Sequence, residues 1–322
     1  MGHDPAFVVR RAIAAAGRHH GTDDRILLAV SGGADSLAMA LAASRLGADG
    51  PRFGAVIVDH GLQAGSDAVA ARAAAQCHAL GLQPVVAAHV HVPTGPGSGG
   101  LEQAARLARR GALLDAAEVH DASAVWLAHT REDQAESVLL GLVRGSGPRS
   151  MAGMRARDGL WERPLLDVPR AVVRASLEGS GLEPHADPHN VDPAFTRVRV
   201  RQAVLPMLEQ ELGGHIVEQL VRSAALFRDD TDALDSMAEQ WWDAHAELAV
   251  PGLRALPRAL RTRVIRLALR DAGCLSPEKE HIDAVAHLVE EPRARGPVRV
   301  PGMLEVARDR GAGVLVIRGR SD

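Results

Sequence analysis

The sequence is poor in residues on which several classes of protein depend. It contains no Tyr, four Phe and four Trp, and Lys279 is its one lysine. Flat aromatic faces on which bases could stack are therefore few, and a Walker A loop, which needs Gly-Lys-Ser/Thr, is excluded. The two cysteines, Cys77 and Cys274, are far apart in the chain. They cannot form a disulfide framework or a Cys-x-x-Cys metal or iron–sulfur site.

Long hydrophobic runs and a targeting segment are also missing. No apolar stretch approaches the roughly 18 residues that a membrane span needs. The N-terminal sequence MGHDPAFVVRRAIAAAG lacks the basic flank, apolar core and cleavage site of a signal peptide. We therefore expect a cytoplasmic protein with no membrane partner. With 322 residues, the chain exceeds the roughly 100–200 residues usual for one domain, so we expect two or three domains.

The charge balance hides an uneven distribution. The formal net charge of −3 gives no hint of a nucleic-acid partner. By segment, however, the net charge is −3 over residues 1–143, +3 over 144–205, −8 over 206–250 and +5 over 251–322. An acidic segment therefore masks two basic ones, and Arg258 and Arg261 in the last segment are candidate RNA contacts. Recognition by arginines, phosphate contacts and RNA shape is favoured over base stacking.

The first half of the chain alternates short apolar runs with amphipathic ones. The apolar runs predict strands at 26–30, 53–59, 84–90 and 124–129, and helices are predicted to begin near residues 35, 66, 101 and 131. This rhythm indicates an α/β fold with a doubly wound parallel sheet covered by helices on both faces. Ligands bind beyond the carboxyl ends of the strands in such sheets.

The second half has a different pattern. From about residue 205 it is helical, and the tail from Val298 onward alternates like a small hairpin or meander. We expect a catalytic domain over residues 1–205 and a mainly helical domain with a small C-terminal β element over residues 206–322. The segment PTGPGSGG (93–100) is either a linker or a mobile lid.

A candidate phosphate site follows the first strand. The sequence SGGADS (31–36) places Ser31, Gly32 and Gly33 in a tight turn before an apolar helix, where unpaired N–H groups and the helix dipole favour an anion. Asp35 would repel a phosphate unless a divalent cation bridges the two, which implies Mg²⁺. The alternative is an ordinary strand–helix turn in which Asp35 is a first-turn acid favoured by the dipole.

The SGGADS motif resembles the SGGxDS loop of the PP-loop ATP pyrophosphatases, which cleave ATP between its α and β phosphates. The resemblance implies that the pyrophosphate lies against residues of this loop and that Asp35 binds Mg²⁺. The nucleotide-binding residues expected here are Ser31, Gly32, Gly33, Ala34, Asp35 and Ser36.

Further motifs narrow the resemblance. They are VDHGLQ (58–63), LEQAARLARRGAL (101–113), HTREDQAESVLLGLVRGSG (129–147), RPLLDVPR (163–170) and DPHNVDPAFTRVRVRQAVLP (187–206). In this order and spacing they resemble the tRNA(Ile)-lysidine synthetases over residues 25 to about 210. The resemblance implies an enzyme that uses ATP to adenylate O2 of the wobble cytidine of a CAU-anticodon tRNA(Ile). The ε-amine of free L-lysine then displaces AMP to form lysidine.

The resemblance assigns chemistry to acidic residues and a histidine after the fourth strand. Asp133 and Glu136 are three residues apart, so both carboxylates lie on one helix face. One or both are expected to hold the lysine amine or Mg²⁺, with Glu136 expected to be essential; a solvated acidic helix start is the alternative. His129 is expected to contact nucleotide or transfer a proton, or else to be a hydrogen-bonded structural histidine.

Basic residues and the end of the second strand complete the predicted site. Arg106 and Arg109 are expected to serve phosphate, although a surface ion pair with Glu102 would also explain Arg106. Asp59 and His60 end the second strand, where adenine and ribose are expected, or form a polar loop pair.

Arg197 and Arg201 belong to a cluster whose alternation with valines suggests a strand. The family pattern instead makes this region the entry to a helix, with the arginines reaching ATP phosphates or the tRNA, and a solvated basic face is the alternative.

The chain departs from the family pattern at single positions. Val198 stands where the family commonly has Asn, Arg110 where it often has Tyr, and Glu132 and Ser137 replace Asp and Thr in the HxxDDQxET motif. The sequence leaves three alternatives open: cytidine thiolation by another PP-loop enzyme, an amide-forming synthetase relative and a catalytically silent nucleotide-binding module. Thiolation usually needs clustered cysteines, which this chain lacks. The expected partners are tRNA(Ile) and free lysine, and a homodimer is possible.

Overall fold

The computed structural model describes residues 4–47, 50–63, 65–93, 101–145, 147–274, 276–294, 296–309 and 311–319. These residues form two compact units that divide between Ala225 and Leu226. The division predicted after residue 205 stays a prediction. Most of the candidate lid at 93–100 lies outside the described residues.

A mostly parallel sheet forms the centre of the first unit. Its strands are β1 (Arg25–Ala29), β2 (Arg52–Asp59), β3 (Val85–His89), β4 (Ala124–Trp126), β5 (Arg157–Asp158) and β6 (Trp161–Glu162). The spatial order is β3-β2-β1-β4-β6-β5, with all neighbours parallel except the antiparallel pair β5 and β6. The predicted parallel sheet is confirmed, although its fourth strand ends at Trp126.

Helices cover both faces of this sheet. The helices of the first unit are α1 (Pro5–Gly17), α2 (Ala34–Ser44), α3 (Ser66–Ala79), α4 (Leu101–Val119), α5 (Arg131–Val143), α6 (Pro148–Met151), α7 (Arg170–Ala175), α8 (Thr196–Arg199), α9 (Leu205–Leu212) and α10 (Ile216–His245), the last of which runs past Ala225. A 3₁₀ turn at Pro188–Asn190 and a π-helical turn at Val200–Val204 interrupt the series.

Strand β1 shows why the sheet needs two helical layers. Its side chains alternate between two apolar clusters: Ile26 and Leu28 pack in one with residues of α1, α2 and α7, and Leu27 packs in the other with Leu113 of α4. Both clusters exclude solvent, so a continuous apolar run is what this position requires.

The strand order sets the position of a binding site. From β1 the chain moves outward through β2 to β3, and it then returns to place β4 on the other side of β1. The loops that leave the carboxyl ends of β1 and β4 therefore diverge, which opens a crevice at this edge of the sheet.

The second unit packs helices against a small antiparallel sheet. Besides the end of α10, it contains α11 (Val250–Ala255), α12 (Arg258–Asp271), α13 (Lys279–Glu290), β7 (Val298–Val300), β8 (Leu304–Asp309) and β9 (Val314–Gly319). The strands pair in chain order, which confirms the predicted meander. Buried residues such as Ile265, Val285 and Val306 form its own apolar core.

The two arginines expected to face RNA in this unit are paired with carboxylates. Arg261 is only 8% exposed, and its guanidinium donates to Glu290 at 2.9 Å. Arg258 donates to Asp283 at 2.7 Å. The expectation of an RNA contact is therefore wrong for Arg261, because a buried guanidinium has no open face to offer a phosphate.

No helix in the described part of the chain has both the length and the apolar character needed to span a bilayer.

Candidate active site

The loop between β1 and α2, where the sequence predicts a phosphate site, forms a tight turn at the start of a helix. Gly32 adopts a left-handed φ of +79°, which favours glycine. Gly33 caps α2, and the first intrahelical bond runs from Leu37 N–H to the Gly33 carbonyl at 3.0 Å. The Ser36 hydroxyl accepts from Ser31 N–H at 3.2 Å and donates to the Gly33 carbonyl at 2.9 Å. These bonds fix the loop and leave the first N–H groups of the helix available to an anion.

Two adjoining cavities open over this loop at the carboxyl edge of the sheet. Their volumes are about 310 Å³ and 520 Å³. Seven residues line both of them: Ala29, Ser31, Gly33, Arg109, His185, Asp187 and Asn190. Because the shared wall includes the phosphate loop, a nucleotide bound there can place its phosphates between the two cavities.

The smaller cavity combines apolar walls with polar groups from the end of β2. Val30, Val56 and Leu113 line it together with Asp59 and His60. This mixture suits a nucleoside, whose base is flat and apolar on its faces and whose ribose is polar.

Asp59 and His60 differ in their hydrogen bonds within the described residues. Burial raises the pKa of Asp59, but hydrogen bonds from Gly61 N–H at 2.9 Å, from the Ser66 side chain and from His89 Nδ1 at 3.2 Å outweigh this, so its pKa is lowered. Burial and the nearby Arg109 lower the pKa of His60. The buried Nδ1 of His60 has no hydrogen-bond partner among the described residues. Asp59 therefore stabilises its own loop through these hydrogen bonds, and one ring nitrogen of His60 is available to a ligand.

Helix α4 brings one of its two candidate arginines to the cavities. Arg109 lines both, and its pKa is lowered by burial and by the charge of Arg106. Arg106 is exposed and lines neither cavity.

The carboxylate of Glu136 is the centre of an arginine network beside the larger cavity. Its side chain is fully buried. Oε1 accepts from Arg201 Nε at 2.7 Å and from Arg170 at 3.3 Å, and Oε2 accepts from Arg197 Nε at 3.0 Å. Three guanidinium groups from α7, α8 and the π-helical turn are therefore held by one buried acid. Glu136 itself does not line the cavity.

Asp133, one turn earlier on α5, does line the larger cavity. Its Oδ2 accepts from the N–H and hydroxyl of Thr130 at 2.8 and 2.9 Å. Its Oδ1 lies 2.8 Å from Arg170 and 3.2 Å from Arg201. Burial would raise the pKa of Asp133, but Arg170 and the Thr130 bonds prevail and hold it at about 2. Asp133 is therefore a carboxylate at neutral pH.

Asp35 also lines the larger cavity, next to the arginine network. Its carboxylate is 3.3 Å from Arg174 Nε and 3.8 Å from Arg170 Nε. Burial nevertheless raises the pKa of Asp35, against the lowering effect of the two arginines. The described residues contain no cluster of three or more His, Cys, Asp or Glu side chains suited to a metal. A cation here would need ligands from a bound phosphate.

His129, three residues after the end of β4, lines the larger cavity. Burial lowers its pKa to about 3; the charge of Asp133 acts in the opposite direction, and nearby arginines lower the pKa further. Its Nδ1 is buried without a hydrogen-bond partner among the described residues. His129 is therefore a neutral imidazole at physiological pH.

The arginine cluster at 197–201 is helical, as the family pattern predicts, and not a strand. Arg197 and Arg201 face Glu136, whereas Arg199 turns back to the carbonyl of Pro193 at 2.6 Å. Val198 is buried, so the position where the family has Asn packs against the core in this chain.

The other departures keep local contacts of their own. The Ser137 hydroxyl accepts from Arg197 at 2.7 Å, and the Glu132 carboxylate accepts from Arg170 N–H at 2.8 Å. The Arg110 guanidinium lies 4.7 Å from the centroid of the Trp161 ring, in a cation–π arrangement.

Sequence reasoning assigned no role to several residues of this site. Arg170 and Arg174 of α7 contact Asp35, and Arg170 also contacts Asp133 and Glu136. Arg170 belongs to the motif RPLLDVPR, and this motif is the sequence feature that could have identified Arg170 as a site residue. The segment that carries His185, Asp187 and Asn190 is tied to the phosphate loop by a bond from His185 N–H to the Gly32 carbonyl at 2.9 Å.

Comparison with known proteins identifies the domains of the chain. Residues 8–208 match the family model of the PP-loop domain, and residues 248–312 match that of the TilS substrate binding domain. The U34-tRNA thiolase NcsA from Methanococcus maripaludis, solved with its [4Fe-4S] cluster, shares the fold at a TM-score of 0.55. That match has 18% identity and covers 69% of this chain and 79% of the thiolase. The fold and site thus define a PP-loop ATP-utilising enzyme.

Close relatives specify the family. The chain is 50% identical to the tRNA(Ile)-lysidine synthase of Leifsonia xyli, over 88% of this chain and 87% of that protein. It is 48% identical to the tRNA(Ile)-lysidine synthase of Thermobifida fusca, over 92% and 93% of the two chains. The chain belongs to the tRNA(Ile)-lysidine synthase family.

Proposed function

We propose that this chain uses ATP to join L-lysine to C2 of cytidine 34 in the CAU anticodon of tRNA(Ile). It is a ligase that forms the carbon–nitrogen bond of lysidine and releases AMP and diphosphate. The observation that carries the proposal is the shared wall of the two cavities, where a phosphate loop adjoins an arginine–carboxylate network. Family membership supplies the identity of the substrates.

The nucleotide is proposed to span the two cavities. Adenine and ribose occupy the smaller one, beside Asp59 and His60, and the phosphates lie over the loop that both cavities share. Gly32, Gly33, Ala34 and Ser36 offer N–H and hydroxyl groups at a helix N-terminus, which is where phosphates bind in many folds. Arg109, which lines both cavities, suits the α-phosphate region.

Asp35 is the proposed magnesium ligand. Mg²⁺ commonly takes one or two carboxylates together with substrate phosphates, and Asp35 offers a partly exposed carboxylate next to the phosphate loop. The cation would neutralise charge on the phosphates and so assist departure of pyrophosphate. Asp35 is paired with Arg174 at present, and that arginine would then turn to a phosphate oxygen.

Cytidine activation is proposed to occur in the larger cavity. O2 of the base attacks the α-phosphorus, the bond to pyrophosphate breaks, and the cytidine carries AMP. Arg201 and Arg174 line this cavity and would stabilise the negative charge on the transferring phosphate. Arg197, held by the same buried Glu136, supports them.

Lysine is proposed to bind next to the activated base, with Asp133 as its partner. At a pKa of about 2, Asp133 stays ionised and attracts an ammonium group, but it is a poor base. Glu136 is fully buried and bonded to three arginines, so its proposed role is to hold those arginines. The ε-ammonium group loses a proton to solvent, the resulting amine attacks C2, and the C2–O2 bond breaks as AMP leaves.

Cytidine thiolation is not favoured. Cys77 and Cys274 lie in different units and are both buried. Burial raises the pKa of the Cys77 thiol to about 11, so it is not a reactive thiolate.

The test combines ATP, Mg²⁺, radiolabelled lysine and a CAU-anticodon tRNA(Ile) transcript. We expect lysine in the tRNA fraction with wild-type protein and none with Asp35→Ala. A tRNA(Met) transcript, which has the same anticodon, is the control for substrate choice. Absence of lysine incorporation by folded, ATP-binding protein would refute the proposed activity.

A further inference from the structure

A turn of π-helix lies at the edge of the larger cavity and has an identifiable cause. Leu205 N–H donates to the carbonyl of Val200, five residues earlier, whereas an α-helix bonds residues four apart. The next residue, Pro206, has no N–H and cannot donate to the carbonyl of Gln202. The helix therefore accommodates an extra residue between α8 and α9, and π-helical turns of this kind are frequent at functional sites.

The π-helical turn affects which way two of its neighbouring residues, Arg201 and Gln202, face. An extra residue turns the rest of a helix by about 100° relative to a regular one. Arg201 and Gln202 both line the larger cavity, although Arg201 also bonds to Glu136. The Gln202 side chain makes no hydrogen bond within the described part of the chain, so its amide is available to a ligand.

The side chain of Gln202 is uncharged, unlike most of the polar side chains that line the larger cavity. The polar groups around it are mainly charged, with Asp35, Asp133, Arg174 and Arg201 among them. Among the described lining residues, Asn190 and Gln202 carry the amide side chains, and Asn190 also lines the smaller, nucleoside-like cavity. An amide both donates and accepts hydrogen bonds. It suits an uncharged heterocycle better than a phosphate or an ammonium group.

We propose that Gln202 is a binding residue for the pyrimidine base that the enzyme activates. The base must come within bonding distance of the α-phosphorus, so it has to enter the cavity that contains the phosphate loop. There the Gln202 amide donates to N3 of cytosine and accepts from the N4 amino group. The inference rests on the proposed function, because it names a contact for the substrate of that same site.

The test measures steady-state kinetics of Gln202→Leu with the tRNA(Ile) transcript, ATP and lysine varied in turn. We expect kcat/KM for tRNA to fall about 10- to 100-fold, the size of the two hydrogen bonds that the variant loses. KM for ATP and for lysine should be unchanged. Gln210→Leu, an exposed glutamine on α9, is the matched control and should behave as wild type.

Three other results would overturn the assignment. Normal kcat/KM for tRNA would mean that Gln202 does not touch the base. A rise in KM for ATP alone, or for lysine alone, would assign the amide to that substrate. Failure of the wild-type enzyme to adenylate the transcript would instead refute the proposed function, so the two failures are distinguishable.

A second variant tests the π-helical turn. Pro206→Ala restores an N–H donor and should favour a regular α-helix, which turns Gln202 away from the cavity. We expect this variant to lose a similar part of kcat/KM for tRNA, and the double variant Gln202→Leu/Pro206→Ala to lose little more. Additive losses would show that Pro206 does not act through Gln202.

Discussion

Removal of the buried carboxylate of Glu136 should destabilise the first unit strongly. Glu136→Ala leaves the guanidinium groups of Arg170, Arg197 and Arg201 without their common acceptor, and the carboxylate that it removes is fully buried. Breaking a buried ion pair by removing one partner costs about 3–5 kcal/mol. For a unit of this size that corresponds to a decrease of roughly 6–20 °C in Tm.

The assay is differential scanning calorimetry of Glu136→Ala, Glu136→Gln and wild type at pH 7. Glu136→Gln keeps one acceptor oxygen and should lie between the other two. Glu118→Ala removes an exposed glutamate from α4 and should change stability by no more than about 0.5 kcal/mol. If Glu136→Ala unfolds at the wild-type temperature, the arginine network does not stabilise the unit and the reasoning is refuted.

Three further results are expected. Asp35→Asn should unfold at a higher temperature than wild type at pH 7 without nucleotide, because the raised pKa of Asp35 means that its charged form is unfavourable in the folded state. The variant should also lose lysine transfer. A Tm below that of wild type would contradict the stability prediction. His129→Asn should lose less stability than wild type on acidification from pH 6.5 to about 3. In that range His129 of the wild type is protonated in the unfolded state but not in the folded state. Acid unfolding curves identical to those of wild type would disprove this prediction. Arg261→Ala should lower the Tm of the second unit by leaving Glu290 without its 2.9 Å donor, while a weaker tRNA affinity at unchanged Tm would restore Arg261 as an RNA contact.

Local sequence was sufficient to predict the sheet and the tight turn that follows its first strand. Continuous apolar runs followed by small residues are explained by strands that are buried on both faces, and Gly32 and Gly33 mark the turn. The helical state of residues 197–201 was predicted from the family pattern alone, because alternation of Arg with Val favours a strand.

Long-range pairing was beyond what local sequence can predict. Arg170 is 34 residues from Glu136 and 135 from Asp35 in the chain, yet it contacts both. The spacing of Asp133 and Glu136 predicted a shared helix face, but the different exposure of the two acids depends on the arginines that cover them. The pairing of Arg258 with Asp283 and of Arg261 with Glu290 likewise involves residues of a later helix.

The charge balance of the site has a kinetic consequence. Around Asp35, Asp133 and Glu136, four guanidinium groups face three carboxylates, and Arg109 adds another positive charge to the cavity wall. An unliganded site with excess positive charge attracts a polyphosphate and repels an ammonium ion. Binding of ATP together with its Mg²⁺ cancels that positive excess, so lysine should associate productively only after the nucleotide is bound. The arginine excess thereby favours an ordered addition of substrates.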